Sequence, residues 1–502
     1  MFCCKNNVKP TDPFYPCDLA ALGFKLNEHG QFVKTAKSGS VSSMEDVAIN
    51  QDPSIRQDSI AEKVDTSDHS KFFDFFHTSS DRANNVRREA FQTCARQEML
   101  KILRELDMQE MFLGCISHSD DPGTSATSQP SNKRPEGPHV SILVSGGLKK
   151  LKRKREVVIV VGESCQDLGV WAYRTLLADG GLEKGTAIGL VRALKAWGSD
   201  DNCRAERPCS ADIVTQIIHD VAIQGHESVN EHVEDNSDVV PGVIIMNPGQ
   251  LLYSPSMNRS ISQASWMARR KGSAIDDVFE IDERYNKVEG HKTSEEHIKT
   301  TMSSIPDWVG ENARLHLLGV GDGANGMLTF LDAILRQWPI LPHTTECKPV
   351  LTTAREPHIT ITDGSISREH ASSDFWVSRI TAIALCQPTH DHDAIQSQSL
   401  KNILAVRGKA WEVATLPKGA RVASPATGNP DDEITDTEDS LSHTHDDEGD
   451  ELPSYRAVSC QTFSAGPDIN ISECILPAML EEIVKWFRQN RNIVRRQTMT
   501  GA

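Results

Sequence analysis

The sequence predicts an α/β protein, a mostly parallel sheet covered by helices on both faces. Three observations carry that reading. Short apolar runs, Val157–Val161, Val243–Met246 and the mostly apolar Leu315–Leu318, have the composition of strands buried on both faces. Stretches with helical spacing alternate with them along the chain. The third is Gly319-Val320-Gly321-Asp322-Gly323-Ala324-Asn325-Gly326, which follows one such strand. It leads into Met327, Leu328, Phe330, Leu331, Ile334 and Leu335 at helical intervals, giving strand, glycine-rich turn and helix.

The other elements follow in chain order. Residues 13–33 form a leading segment, and residues 35–68, rich in Ser, Asp, Lys and Gln, read as a disordered insertion. An aromatic group, Phe72, Phe73, Phe75 and Phe76, precedes a long helix expected over 81–110 with Ser80 or Asp81 as its cap. Val86, Ala90, Cys94, Leu100, Leu103 and Leu106 share a face of that helix. Residues 118–138, with Ser, Pro, Thr and Gly, read as a linker. Then come a strand from His139 to Val144, the basic run Lys149–Arg155 and the Val157–Val161 strand. Gly162 and Glu163 make the turn after it, and Ala187, Leu190, Val191, Leu194 and Trp197 mark the next helix. Residues 199–238 are a polar insertion with a short helix at 211–223. The later elements are a helix at 295–309, strands at Arg379–Leu385 and Trp411–Ala414, and a last amphipathic helix through Met479, Leu480, Ile483, Val484 and Phe487. The domains are therefore read as 12–115, an N-terminal segment with the long helix; 116–138, a linker; and 139–497, the α/β domain, with expected disordered inserts at 199–238 and 422–453.

Composition narrows the function. The net charge is −17, yet residues 422–455 hold eleven acidic residues and no Lys or Arg, and without those eleven the balance is −6. Bulk acidity belongs to one loop, which counts against broad nucleic-acid binding. The twelve cysteines show no Cys-x-x-Cys spacing and read as reduced thiols. Cys3 and Cys4 follow Phe2 rather than the glycine that myristoylation needs. No run of about 18 apolar residues occurs, so no membrane span is expected.

The glycine-rich turn admits two functional readings. As a nucleophile elbow, Gly-x-Ser-x-Gly, its flanks are Gly319 and Gly323, and the nucleophile position holds Gly321, which has no side chain to attack anything. Asp322 lies one position out of register. As a dinucleotide fingerprint, Gly321, Gly323 and Gly326 fit the spacing, but the motif follows several strands, and no strand precedes Glu346, about 20 residues on.

A resemblance then enters, carried by dispersed segments. They are Tyr15-Pro16-Cys17-Asp18-Leu19 through Leu22-Gly23-Phe24; Asn85-Val86-Arg87-Arg88-Glu89-Ala90; Gly169-Val170-Trp171-Ala172 with Gly181–Thr186; Met246-Asn247-Pro248; Glu296-His297-Ile298; the glycine-rich turn; and Ser464-Ala465-Gly466 followed by Glu473. In their order and spacing they resemble the Argonaute-binding, small-RNA-chaperone subunits of fungi and their animal relatives. That resemblance implies an α/β-hydrolase-like domain, a nuclear and possible cytoplasmic setting, and work beside Argonaute in small-RNA silencing and heterochromatin. It implies Argonaute-type and silencing-complex partners, with small RNA reached through them, no cofactor and no membrane.

Set against the family, each triad position has lost its group. Where relatives keep His-Ser at the elbow this chain has Val320 and Gly321; the acid position aligns with Gln387, and the histidine position with Ser472. The turn after Val161 also lacks a His-Gly pair. Glycine at a strained elbow relieves the strain and stabilises by about 1 kcal/mol once catalysis is abandoned. The expectation is a degenerate hydrolase serving as an interaction module. The alternatives are an esterase or peptidase with an unlocated nucleophile, and a nucleotide-binding protein.

Two further stretches bear on function. Lys149, Lys150, Lys152, Arg153, Lys154 and Arg155 read as a nuclear import signal or a solvated hairpin tip, and such a run could also meet RNA phosphates. His390-Asp391-His392-Asp393 alternates ligand types in a loop but supplies no tetrahedral set, so no metal is expected.

Overall fold

The structure, a computed structural model, describes residues 11–35, 80–114, 129–177, 180–199, 240–277, 279–336, 366–390, 392–422 and 460–500. The expected inserts within 35–68, 199–238 and 422–453, the short helix at 211–223 and Phe72–Phe76 lie essentially outside those residues.

Twelve strands and twelve α-helices are described. A hairpin, β1 (Phe24–Leu26) and β2 (Phe32–Lys34), precedes α1 (Asp81–Glu105) and β3 (Met108–Gly114). Next come β4 (His139–Ser145), α2 (Gly147–Leu151), β5 (Glu156–Val161), α3 (Tyr173–Leu177), α4 (Gly181–Gly185) and α5 (Ala187–Ser199). After β6 (Gly242–Ile245) an excursion holds β7 (Leu252–Ser254), β8 (Arg259–Ile261), α6 (Gln263–Ala268) and α7 (Glu283–Asn286). The chain then resumes with α8 (Ser294–Trp308), β9 (Arg314–Val320), α9 (Asp322–Leu335), α10 (Ile366–Arg379), β10 (Ile380–Cys386), α11 (Gln398–Arg407), β11 (Gly408–Glu412), β12 (Gln461–Ser464) and α12 (Ile475–Thr500).

Eight strands make one sheet in the order β3-β4-β6-β5-β9-β10-β11-β12. Numbered within the sheet this is 1-2-4-3-5-6-7-8. Only β4 runs against the rest, being antiparallel to both β3 and β6. The remaining neighbours are parallel. This is the α/β-hydrolase arrangement, and the glycine-rich turn follows its fifth strand. Alternation along β5 explains why that strand is apolar throughout. Val158 and Val160 join a core with α1, α5 and α12, while Val157, Ile159 and Val161 join a second core with α8, α9 and α11.

Several elements differ from expectation. The long helix stops at Glu105 rather than 110, because Asp107 takes a left-handed backbone (φ 64°) and the chain turns into an antiparallel edge strand. The sheet therefore begins before residue 139, and the N-terminal hairpin and α1 share its core: Phe24 and Phe32 pack on Phe91 with ring centroids 4.9 and 5.1 Å apart. The basic run does not form a hairpin tip. Its first half is α2, anchored by fully buried Leu151, and its remaining residues make the turn into β5. Ser131, inside the expected linker, exchanges two backbone hydrogen bonds with Phe112 on the open side of β3. At the opposite edge, residues 420–422 run beside β12 and bond Thr462 and Ser464.

Candidate functional site

The turn between β9 and α9 keeps the geometry of an elbow. Gly321 has φ 52° and ψ −126°, a region that side chains with a Cβ enter only under strain, and its N–H donates to the Cys386 carbonyl at 2.8 Å. Gly323 is needed for another reason: a Cβ there would stand 2.7 Å from the Val161 carbonyl oxygen, so α9 starts hard against the end of β5. Gly319 likewise abuts Ala324 at the first turn of the helix.

The space beside Gly321 is already filled. A Cβ on Gly321 would lie 2.8 Å from Cγ and 2.9 Å from Cδ of Glu163, whose carboxylate lies closer still. Glu163 follows Gly162 in the turn after β5, where a hydrolase of this order places one amide of its oxyanion hole. A carboxylate therefore stands where a working enzyme would hold its nucleophile.

Two further carboxylates flank it. Asp322 accepts the Ser164 N–H at 2.9 Å and the Ser164 hydroxyl, which locks the β5 turn onto the helix start. Glu473 accepts the Gln166 side-chain amide at 2.8 Å and pairs with Arg174 at 2.8 Å. Burial, then the charges of Asp322 and Glu473, push the Glu163 carboxyl up to about 7. Loss of solvent around its sulfur, then the charges of Glu163, Asp322 and Glu473, push the Cys165 thiol up to about 12. The groups that act on Glu163 include Asp322, Glu473 and Cys165.

The other two triad positions serve the fold. Gln387 sits just past β10 with φ 48°. It donates its N–H to the Trp411 carbonyl at 2.7 Å and accepts the Val413 N–H on its side-chain oxygen at 2.9 Å, joining the ends of β10 and β11. Ser472 opens a short 3-10 turn, and it is the next residue, Glu473, that reaches the cluster. The same carboxylates count against the dinucleotide reading, since Glu163 and Asp322 crowd the helix N-terminus that would hold a pyrophosphate. Among the described residues no group of three or more His, Cys, Asp or Glu is placed to hold a metal ion, and Asp391 of the His390–Asp393 stretch lies outside them.

Sequence reasoning missed a second, buried polar assembly. Arg96 of α1 donates to Asp167 at 2.5 Å, to Glu89 at 2.6 Å and to Thr93 at 2.7 Å. Asp167 also accepts from the Tyr173 hydroxyl at 2.5 Å and the Gln250 amide at 2.7 Å. Gln250 continues to Asn247, whose N–H donates to His297 at 3.2 Å, and His297 meets His291 at 2.9 Å. Burial works to raise the Asp167 carboxyl, but Arg96 and Tyr173 overcome it and hold the group below the usual carboxylate range. Burial pushes His291 down to about 4 and, with His291 beside it, holds His297 well below its ordinary value. The segments that carried the resemblance, those with Glu89, Asn247 and His297, are the ones this assembly ties together. The signal available was the seven-residue spacing of Glu89 and Arg96, which puts both on one helix face.

Compared with known proteins, the chain matches one family model, the Arb2 domain, over residues 49–347. No curated protein and no solved structure matches it.

Proposed function

Because the chain belongs to the Arb2 domain family, the family of Argonaute-binding protein 2, we propose that it is a non-catalytic subunit that binds an Argonaute-type protein in a nuclear small-RNA silencing complex. The observation that carries the non-catalytic part is the Glu163 carboxylate packed into the space a nucleophile at position 321 would need. Small RNA is reached through the Argonaute partner, in keeping with an acidic chain.

Two measurements test the reading separately. A fluorophosphonate probe leaves the native chain unlabelled, at the level of a heat-denatured control; stoichiometric labelling would overturn the non-catalytic assignment. The immobilised full chain retains an Argonaute-type protein from nuclear extract, and failure to do so overturns the partner assignment alone. Restoring the serine does not restore a hydrolase: Gly321→Ser remains unlabelled and loses about 1–3 kcal/mol of stability in urea unfolding, since its Cβ takes a strained backbone against Glu163.

The nuclear setting rests on the basic run. Lys149, Lys150, Lys152, Arg153 and Arg155 are exposed, Lys154 half-buried, and Lys150 meets Asp107 at 3.0 Å. Replacing Lys149, Lys150, Lys152 and Arg153 by alanine excludes a fluorescent fusion from nuclei while Argonaute retention in vitro is unchanged. Continued nuclear accumulation would remove the run from the import role.

A further inference from the structure

The fold arranges the basic run as a single face. Leu148 and Leu151, three apart in α2, turn inward, one half-buried and the other fully buried, onto the core that holds Val144 and Val157. Lys152 keeps helical angles, φ −60° and ψ −21°. The N–H groups of Lys152, Arg153 and Lys154 donate to the Leu148, Lys150 and Leu151 carbonyls at 3.0, 3.1 and 3.0 Å. Helical spacing therefore puts Lys149, Lys152 and Arg153 together on the outward side, with neighbouring Cβ atoms about 5–6 Å apart. Arg155 follows at the entry to β5, its carbonyl fixed by the Arg314 N–H at 2.8 Å.

These cations are available. Lys149, Lys152, Arg153 and Arg155 are all exposed, and among the described residues none of them makes an ion pair. Lys150 differs, since it meets Asp107 at 3.0 Å. The nearest carboxylate along the chain, Glu156, is buried and already holds Arg314 at 2.7 Å and Arg491 at 2.9 Å, so it does not discharge the face.

What accompanies the charges selects the occupant. A protein partner needs apolar or aromatic anchors at the centre of its contact, where lysine is depleted. Between Lys149 and Arg155 the one apolar residue is Leu151, and it is buried. The run therefore has no anchor for a protein and no apolar residue to enter a bilayer. It also has no aromatic side chain on which the bases of a single strand would stack. A row of charges on a rigid support suits the phosphates of a duplex, in a contact that is blind to sequence and driven by release of counterions.

We propose that Lys149, Lys152, Arg153 and Arg155 hold the phosphate backbone of a nucleic-acid duplex, which is RNA under the silencing reading above. This goes beyond the import role of the run and rests on that reading for the kind of duplex: the Argonaute partner delivers the RNA, and this face grips what is delivered. The net negative charge of the chain keeps the contact weak at physiological salt.

Fluorescence anisotropy with the full chain and a short RNA duplex of mixed sequence tests this. Four phosphate contacts give log K against log salt a slope of about −3 to −4, so binding measured at about 50 mM salt weakens roughly a hundredfold by about 200 mM. The variant Lys149→Gln, Lys152→Gln, Arg153→Gln, Arg155→Gln binds at least about thirtyfold more weakly at the lower salt. No binding at low salt, a flat salt dependence, or a variant equal to the natural chain overturns the proposal. So does displacement of the duplex by polyglutamate at matched charge, which assigns the face to an acidic polypeptide. A DNA duplex of the same sequence that binds more tightly than the RNA overturns the RNA assignment. Should the fourfold variant unfold, Lys149→Gln, Arg153→Gln decides: its slope is smaller by about two, and an unchanged slope overturns the proposal. Argonaute retention, measured alongside, is the same for all these proteins; its absence with duplex binding intact counts against the partner assignment alone.

Discussion

Arg96→Met lowers the stability of the full chain by about 3–5 kcal/mol, because it leaves the Asp167 carboxylate buried without its cation. Arg96 and Asp167 are 5% and 6% exposed, and each also holds neighbours that lose a partner when the pair is broken. Arg96→Lys recovers only part of the loss, since an ammonium cannot serve Asp167, Glu89 and Thr93 in the fixed geometry of a guanidinium. Urea unfolding of the three proteins gives the comparison. The dependence on pH is a second readout. A carboxylate depressed in the folded state contributes stability above the unfolded value, 3.8, and the contribution disappears as pH falls through the lower folded value. The natural chain therefore has this contribution in full at neutral pH and begins to lose it at about pH 5, as the unfolded chain starts to take up the proton; the variant has none to lose. A loss under about 1 kcal/mol would mean that the assembly is not what joins α1 to the sheet.

Glu163→Gln acts in the opposite direction. The Glu163 carboxyl is raised in the fold from 4.5 to about 7, so the folded state holds a proton there that the unfolded chain releases. Below pH 4.5 both states are protonated and the contribution is complete; as pH rises toward 7 and beyond it is lost, and the ionised group burdens the fold. Glutamine keeps the shape and carries no charge. The variant accordingly matches the natural chain near pH 4.5 and exceeds it at pH 8, by up to about 3 kcal/mol for a shift of that size. Thermal unfolding at the two pH values measures the difference. A variant equally stable or less stable at pH 8 would show that Glu163 is held by interactions its charge requires. The ionised form of the carboxyl beside Gly321 is thus a cost the fold carries as pH rises.

Much of this was legible in the sequence because it follows from local rules. The sheet's central strands had to be buried on both faces, as their unbroken apolar runs require, and β5, β6 and β9 form where those runs fall. The elbow was legible because small residues at 319, 321 and 323 are the signature of a helix starting against a neighbouring strand. The edge strand β3 was not, since Met108-Gln109-Glu110-Met111 continues a helical spacing and only the backbone reversal at Asp107 separates it from α1. The hairpin β7–β8 and helix α6 escaped for a similar reason, being three to six residues long. Within the site, spacing placed a glycine, Gly321, at the elbow position. It could not show that Glu163 occupies the vacated volume, because residues 163 and 321 meet only once β5 and β9 pair. Glu473 was adjacent to the expected histidine position, yet its partners Gln166 and Arg174 are some 300 residues distant in sequence. Long-range pairs of that kind leave no local trace.

The two margins of the eight-stranded sheet bear on how the molecule can assemble. Ser131 interrupts β3 at its middle residues, and residues 420–422 run along β12, so neither flank offers a long unbroken row of free amides and carbonyls. Strand addition, by which extended peptides or further copies of a chain extend a sheet, needs such a row. Among the described residues there is none. The described margins of this sheet therefore offer little template for adding a strand from another chain.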